Sequence, residues 1–256
     1  MPVSKVVALA QHKGGVGKTS TCINLGACLA EAGKRVLLID MDPQAALTES
    51  FGINPAQLKL SVYDVLADTD LPLGNILLET SIPELTIAPS HINLAVADLQ
   101  FGGRVGRERI LRKKMDSIRQ DYDYIFIDCA PTLGLVTINA LAAADSVIVP
   151  IQCELLSIYG LKYLLDTIAL VQQEVNEGLT IEGYLLTMYD ARTRLSEEVA
   201  QNVRQTFGEQ VFETIIRRRI ILAEAPAAGR PITEYASSSD SADDYRRLAK
   251  ELMNHG

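Results

Sequence analysis

The feature that most limits what this chain can fold into lies in its first twenty residues. A short aliphatic run, Val6–Ala10, leads into Gln11-His12-Lys13-Gly14-Gly15-Val16-Gly17-Lys18-Thr19-Ser20. Helical spacing follows over Thr19–Ala32 and closes at Gly33. Glycines let a backbone turn back sharply and aim its N–H groups inward at an anion. The N-terminus of the next helix adds its partial positive charge. The segment therefore reads as a polyphosphate cradle, with Gly14, Gly15, Val16, Gly17 and Ser20 along its wall. Lys18 would reach the β and γ phosphates, and the Thr19 hydroxyl would be a ligand for Mg²⁺. The strict spacing G-x-x-x-x-G-K-[ST] is not met, because its first glycine would fall at His12. What stands here is K-G-G-x-G-K-T, with an additional lysine, Lys13.

The rest of the chain fits one strand–helix alternation. Apolar runs recur at Val36–Ile39, Leu85–Ala88, Tyr124–Ile127, Val147–Ile151, Tyr184–Met188 and Val211–Ile216. Several are apolar without alternation, as expected of strands covered on both faces. Between them lie helical patterns such as Leu161–Val175, with Leu161, Leu164, Leu165, Ile168 and Val171 on one stripe. This predicts an α/β fold, doubly wound, with a mainly parallel sheet flanked by helices and ligands at the carboxyl ends of the strands. No linker or repeat divides the sequence, so residues 1–256 are read as one domain. With 48% hydrophobic and 22% charged residues the chain is not a disordered type. At this length about 70% of the surface is buried on folding, enough for a core without staples. No apolar run approaches the roughly 18 residues of a membrane span. The apolar start is too short for a signal peptide and meets glycines instead of a cleavage site. A soluble cytoplasmic protein is expected.

Two acidic motifs follow apolar runs, where this fold puts its chemistry. Asp40-Met41-Asp42-Pro43-Gln44 comes directly after Val36–Ile39. A carboxylate there can orient a water or support a metal shell, and it can equally be a turn or cap residue before Pro43. The run Tyr124–Ile127 ends in Asp128, placed to hold Mg²⁺ beside Thr19.

The loop with its early lysine resembles the deviant Walker A ATPases, the superfamily of ParA, MinD, the nitrogenase iron protein and the arsenical pump ATPase. Asp-x-Asp-Pro-Gln and the stretch Thr132–Leu141 resemble the two switch regions of ParA. Further similarity at Val149–Glu154, Leu185–Asp190 and Leu222–Pro226 carries the resemblance, Soj-like in character, along nearly the whole chain. It implies a P-loop ATPase fold, ATP and Mg²⁺ as cofactors, and hydrolysis of ATP to ADP and phosphate. Lys13 would cross a nucleotide-sandwich homodimer to the partner's phosphates, Lys18 would bind its own, and Asp42 would position the attacking water. Asp40 and Asp128 would serve the metal shell with Thr19. Met188, Arg217 and Arg219 would lie at the base, adenine by resemblance alone. The chain departs from the pattern at Ala45-Ala46, where the family usually has Gly-Asn. It departs at Ala130, usually Pro. At Arg217-Arg218-Arg219 the family usually reads Pro-Arg-Asn.

The resemblance also implies partners: non-specific DNA, a ParB-type centromere-binding protein, and association with the nucleoid. The net charge of −8 argues against a basic coat over the whole surface, though not against a local patch. Residues 192–230 hold seven arginines against five acids, with Arg192, Arg217, Arg218 and Arg219 as candidate DNA contacts. A solvated turn or a rim of the base pocket is the other reading of the triplet. The run Arg104–Arg119 has seven basic residues and two acids, read as a surface helix or as a second DNA or partner face. The alternative function is a MinD-like or orphan positioning ATPase acting on a membrane or protein cargo. The C-terminal segment carries a core-packing stripe, Tyr245, Leu248, Ala249, Leu252 and Met253, and no bulky aromatic face, so no membrane anchor is expected. Cys22, Cys28, Cys129 and Cys153 form no CxxC, so no iron–sulfur cluster is expected either.

Overall fold

The computed structural model describes residues 4–154 and 157–254, with backbone alone for 157–160. In chain order the elements are β1 Lys5–Leu9, α1 Lys18–Glu31, β2 Val36–Met41, α2 Ala46–Glu49, α3 Val62–Ala67, β3 Leu78–Glu79 and β4 Leu85–Ala88. Then come α4 Ala97–Phe101, α5 Ile110–Met115, β5 Tyr124–Cys129, α6 Leu135–Ala143, β6 Ser146–Gln152 and α7 Ser157–Glu174. The last are β7 Thr180–Thr187, α8 Arg194–Phe207, α9 Ile221–Ala227, α10 Ile232–Tyr235 and α11 Asp240–Asn254. The sheet order is β3-β4-β2-β5-β1-β6-β7, parallel except for the two-residue edge strand β3.

Successive side chains of each strand enter two different cores. Val6, Ala8, Leu37, Ile39, Ile125, Ile127, Val147 and Val149 face one layer, packed with residues of α3, α5, α6, α7 and α8. Val7, Leu9, Val36, Leu38, Phe126 and Ile148 face the other, against α1 and α11. Strands apolar on both sides have no solvent face, which is why their sequences show no alternation. α1 ends in a left-handed Gly33 (φ 78°), with Lys34 N–H donating to Leu29 O at 3.0 Å and Gly33 N–H to Ala30 O at 2.9 Å. These two bonds close the helix in a Schellman motif.

β1 sits between β5 and β6, while β2 lies on the far side of β5. The connections after β1 and β6 thus run to opposite sides, and a crevice opens at the carboxyl ends between them. Leu9 pairs with Asp128, and Asp40 with Asp128, so both acids reach that crevice in register with the end of β1.

Two expectations are corrected. Val211–Ile216 is not a laddered strand; it meets β7 through one isolated bridge, Tyr184 with Val211, and through Phe212 N–H to Tyr184 O at 3.0 Å and Ile216 N–H to Leu186 O at 2.9 Å. The N–H groups of Glu213 and Thr214 donate instead to the Glu251 carboxylate, at 2.6 and 3.0 Å. The run Arg104–Arg119 is one turn and a half of helix between tight turns, not a continuous helix, and Gly106 at φ 71° interrupts it. Leu111 and Met115 are buried as expected, and Ile110 is half-buried.

Candidate active site

The glycine loop needs two residues with positive φ, Gly15 at 72° and Gly17 at 90°. Side-chain residues rarely adopt these angles, so both glycines are fixed by backbone geometry. Gly17 is the N-cap of α1, and no side chain caps this end; the first turn carries no acid. The orphan N–H groups there are left for an external anion. The loop is held from outside by Thr187 at the end of β7, whose hydroxyl donates to Val16 O at 2.8 Å.

Lys18 is buried, with Nζ donating to Gln11 O at 3.1 Å and Lys13 O at 3.3 Å. Burial lowers its pKa, and the field of Asp128 opposes that shift. The ammonium lies under the loop, where a phosphate would offer better acceptors than two carbonyls. Lys13 is more open. Its Nζ donates to Gln152 Oε1 at 3.0 Å and lies 3.5 Å from Glu154 Oε2. Both partners belong to the end of β6 and the residues after it.

The two strand-end carboxylates differ in their surroundings. Asp40 is fully buried and well satisfied: Oδ2 accepts from Thr48 N at 2.9 Å and Thr48 Oγ1 at 2.6 Å, and Oδ1 from Asp42 N at 3.1 Å. Burial nonetheless raises its pKa to about 7, against those hydrogen bonds. Asp128 is also fully buried, and neither carboxylate oxygen accepts a well-formed hydrogen bond among the described residues. Burial and then the Asp40 charge push its pKa well up, while the Thr19 side chain and Lys18 pull it down. A buried carboxylate without donors is costly unless a cation completes it. Asp128, close to Thr19 and at the foot of the loop, fits a hard divalent cation; the saturated Asp40 fits a role in organising residues 42–48.

Asp42 is half-buried, with Oδ1 accepting from Gln44 N at 2.9 Å. Its carbonyl accepts from Ser90 Oγ at 2.6 Å, and Ser90 N donates to Thr48 Oγ1 at 2.9 Å. Asp40, Thr48 and Ser90 thus fix the segment that presents Asp42.

From Gly17 and Ser20 a cavity of about 550 Å³ extends away from the acids. Met188, Ile216, Leu222, Pro226 and Tyr245 give it apolar walls, and Arg217, Arg218 and Arg219 stand along it. Its volume and mixed lining suit a small organic ligand. The sequence-based candidates Met188, Arg217 and Arg219 are therefore brought together with the phosphate loop.

The arginines are not equivalent. Arg217 pairs with Asp244 at 2.8 Å and Asp240 at 3.4 Å, and Arg219 with Asp240 at 3.6 Å. Arg192 is doubly bonded to Asp190, at 2.9 and 2.8 Å. Arg218 is exposed and makes no ion pair among the described residues. In the other basic run, Arg104 donates to Leu66 O and Ala67 O, and Lys114 to Asp68 O, Thr69 O and Leu71 O. These two charges tie down a loop, whereas Arg109, Arg112 and Lys113 are exposed. The four cysteines are buried at separate places in the two cores, and burial pushes the Cys28 and Cys153 thiols up to about 12. Among the described residues, no helix is long and apolar enough to cross a membrane.

Sequence reasoning missed Thr48, Ser90, Thr187 and Tyr245. Thr187 ends an apolar run at a strand's carboxyl end, the place where this fold collects its site, and that position was a usable signal. Nothing local marks Ser90 or Tyr245, which reach the site through tertiary contact.

Residues 4–181 match the model of a family described as an AAA domain. The sporulation initiation inhibitor protein Soj of Bacillus subtilis is 46% identical over 254 residues, covering 99% of this chain and 100% of Soj. The chromosome partitioning protein ParA of Myxococcus xanthus is 42% identical over 251 residues, covering 98% of this chain and 88% of ParA. Among solved structures, the cobyrinic acid a,c-diamide synthase of Mycobacterium smegmatis with a bound ATP analogue and magnesium has a TM-score of 0.87 at 39% identity. It covers 99% of this chain and 96% of the synthase chain. A phosphate loop over an uncompensated Asp128, relatives aligned along the full length and a magnesium–nucleotide complex of the same fold lead to one conclusion: the chain belongs to the ParA/Soj-type ATPases, with ATP and Mg²⁺ as its cofactors.

Proposed function

We propose that this ATPase is a partition protein. Mg-ATP drives two copies into a sandwich dimer, the dimer holds DNA without sequence preference, and hydrolysis stimulated by a ParB-type partner releases it. The name of the Myxococcus xanthus relative, a chromosome partitioning protein, supports a DNA cargo. The observation that carries the reading is Arg218, an exposed arginine free of ion pairs among the described residues that stands on the wall of the nucleotide cavity. A phosphate-binding charge at that place ties DNA affinity to what the cavity holds. In the cell the protein would be cytoplasmic and associated with the nucleoid.

Each group has a task in this reading. The α1 N-terminus and the Gly14–Gly17 backbone bind the phosphates, and Lys18 exchanges its two carbonyl acceptors for phosphate oxygens. Thr19 and Asp128 would hold Mg²⁺, which when bound offsets charge on the β and γ phosphates. Asp42 orients water, its carboxylate fixed through Gln44 N. Orientation, not strong base catalysis, is what phosphoryl transfer requires of it. Lys13 leaves Gln152 and Glu154 to stabilise charge on the partner's phosphates. The cavity takes the base.

The test is a titration with random-sequence duplex DNA in the absence of nucleotide, with ADP and with a slowly hydrolysed ATP analogue, each across a salt series. Binding confined to the ATP analogue is expected, with affinity falling as salt rises. Arg218→Ala should reduce the slope of log K against log salt by ~1 for each contact removed. A dimer that forms but binds no DNA in any state would overturn the partition reading. ATP-dependent vesicle binding in its place would support a MinD-like positioning role.

A further inference from the structure

The outer wall of the cavity is residues 216–220, and the segment 211–220 that carries them has no strand ladder of its own. α11 holds it. Glu251 takes the N–H groups of Glu213 and Thr214. Two turns earlier Asp244, only 1% exposed, accepts from Arg217 Nε at 2.9 Å and Nη2 at 2.8 Å. Asp240 receives Arg217 Nη1 at 3.4 Å. Positions 240, 244 and 251 fall on one stripe of a helix with 3.6 residues per turn, so three carboxylates face the segment along one line. Arg247 adds a second guanidinium to Asp244.

The same helix reaches the other side of the cavity. Tyr245, next to Asp244, is buried and lines the cavity. Its hydroxyl lies beside Thr21 and Asn24 of α1. Arg246 binds Glu31 at the end of α1 at 2.7 and 2.9 Å. α11 thus stands between the helix that opens on the phosphates and the segment that closes over the base end.

The geometry points to the Arg217–Asp244 pair as a positioning clamp that sets the affinity for the base half of the nucleotide while leaving the phosphate half alone. This rests on the reading of the cavity as the base site. A fully buried carboxylate with a bidentate guanidinium holds its partner in one orientation. Removing one member leaves Asp244 with Arg247 alone or Arg217 with Asp240 alone, and the side-chain face of the wall loses its fixed orientation. Neither residue touches Gln11, Lys18, Thr19 or Asp128, so the phosphate end does not depend on the pair.

The experiment compares binding of a slowly hydrolysed Mg-ATP analogue with binding of magnesium tripolyphosphate, which has no base. Wild type, Arg217→Gln, Asp244→Asn, Arg217→Lys and Ala223→Trp are titrated calorimetrically. Ala223 is an exposed residue of α9 on the cavity, and a tryptophan there fills it. Arg217→Gln and Asp244→Asn should each weaken the ATP analogue about tenfold and leave tripolyphosphate within about twofold of wild type. Retained tripolyphosphate binding also reports that the variants fold. Arg217→Lys, a charge without the fork, should recover only part of the loss. Unchanged ATP affinity in both clamp variants, or equal weakening of both ligands, overturns the clamp. If Ala223→Trp loses ATP but Arg217→Gln does not, the clamp alone fails. If Ala223→Trp binds ATP as wild type does, the base-site reading fails and the clamp falls with it.

Discussion

Ala45 occupies the left-handed region at φ 53° and ψ 29°, just ahead of α2, and is 2% exposed. A Cβ in that conformation costs roughly 1–2 kcal/mol, which glycine avoids. The sequence pattern this chain resembles has Gly here, so the substitution is a local strain between Asp42 and Thr48. The strain persists because the surroundings dictate it: Ala45 N donates to Asp42 O at 2.9 Å and Glu49 N to Ala45 O at 2.9 Å. Ala45→Gly should stabilise the folded chain by about 0.5–1 kcal/mol, the relief of αL strain less the extra freedom of glycine when unfolded. Denaturant titration with an unchanged m-value reads this directly, and a loss of stability of the same size would mean that the left-handed turn is not strained. Asp128 is another residue at odds with its surroundings, a fully buried carboxylate with no well-formed hydrogen bond among the described residues. Such conflicts gather at functional sites, where a ligand resolves them.

At the scale of elements, β7 shows how a missing side chain seats a neighbour. A Cβ at Gly183 would lie 2.6 Å from Phe212 Cε2 and 3.1 Å from Gln210 O. Phe212 is the buried anchor of the segment that walls the base cavity. Gly183→Ala should cost about 1–3 kcal/mol by overpacking and should loosen that wall. Thermal unfolding together with ATP affinity checks it; a wild-type melting temperature with wild-type affinity would show that Phe212 has room to move. The same region marks how far the sequence was legible. β1, β2, β4, β5 and β6 were readable because a strand buried on both faces leaves an unbroken apolar run. The phosphate loop was readable because its glycines and lysines answer one chemical demand. Val211–Ile216 has the same apolar composition, yet the amides of Glu213 and Thr214 go to Glu251, 38 and 37 residues on, and composition carries no trace of such a long-range acceptor. The arginine triplet misleads in the same way: charge is visible in sequence, but the acids that neutralise Arg217 and Arg219 lie on α11. Asp40 and Asp128 look alike as acids after apolar runs, and only Thr48 makes one of them saturated.

For the whole molecule the decisive question is what Lys13 does when a second copy arrives. In the single chain its ammonium rests on Gln152 at 3.0 Å and Glu154 at 3.5 Å. Both members of the Lys13–Glu154 pair are substantially exposed, at 36% and 48%. Exposed pairs of this kind contribute about 0–1 kcal/mol, so leaving costs little. The phosphates of a partner's nucleotide, brought into a dry interface, offer far more charge at shorter range. If Lys13 acts in trans, its loss should remove transition-state stabilisation without disturbing nucleotide binding to the single chain. Lys13→Ala is therefore expected to keep Mg-ATP affinity within about twofold and to lower the stimulated hydrolysis rate by 10³-fold or more, the scale of an arginine finger. Glu154→Gln, which removes the charged one of the two groups that hold the lysine, should leave hydrolysis intact and shift the monomer–dimer balance in the ATP analogue towards dimer. Sedimentation velocity with and without the analogue, alongside a mixing experiment, separates the possibilities. Asp42→Ala carries an intact Lys13, and Lys13→Ala carries an intact Asp42. If Lys13 serves the opposite active site, mixed dimers hold one site lacking both groups and one retaining both, so mixing two inactive proteins should restore part of the activity. Mixed dimers that form yet stay inactive would place Lys13 in its own subunit's site and remove the trans assignment.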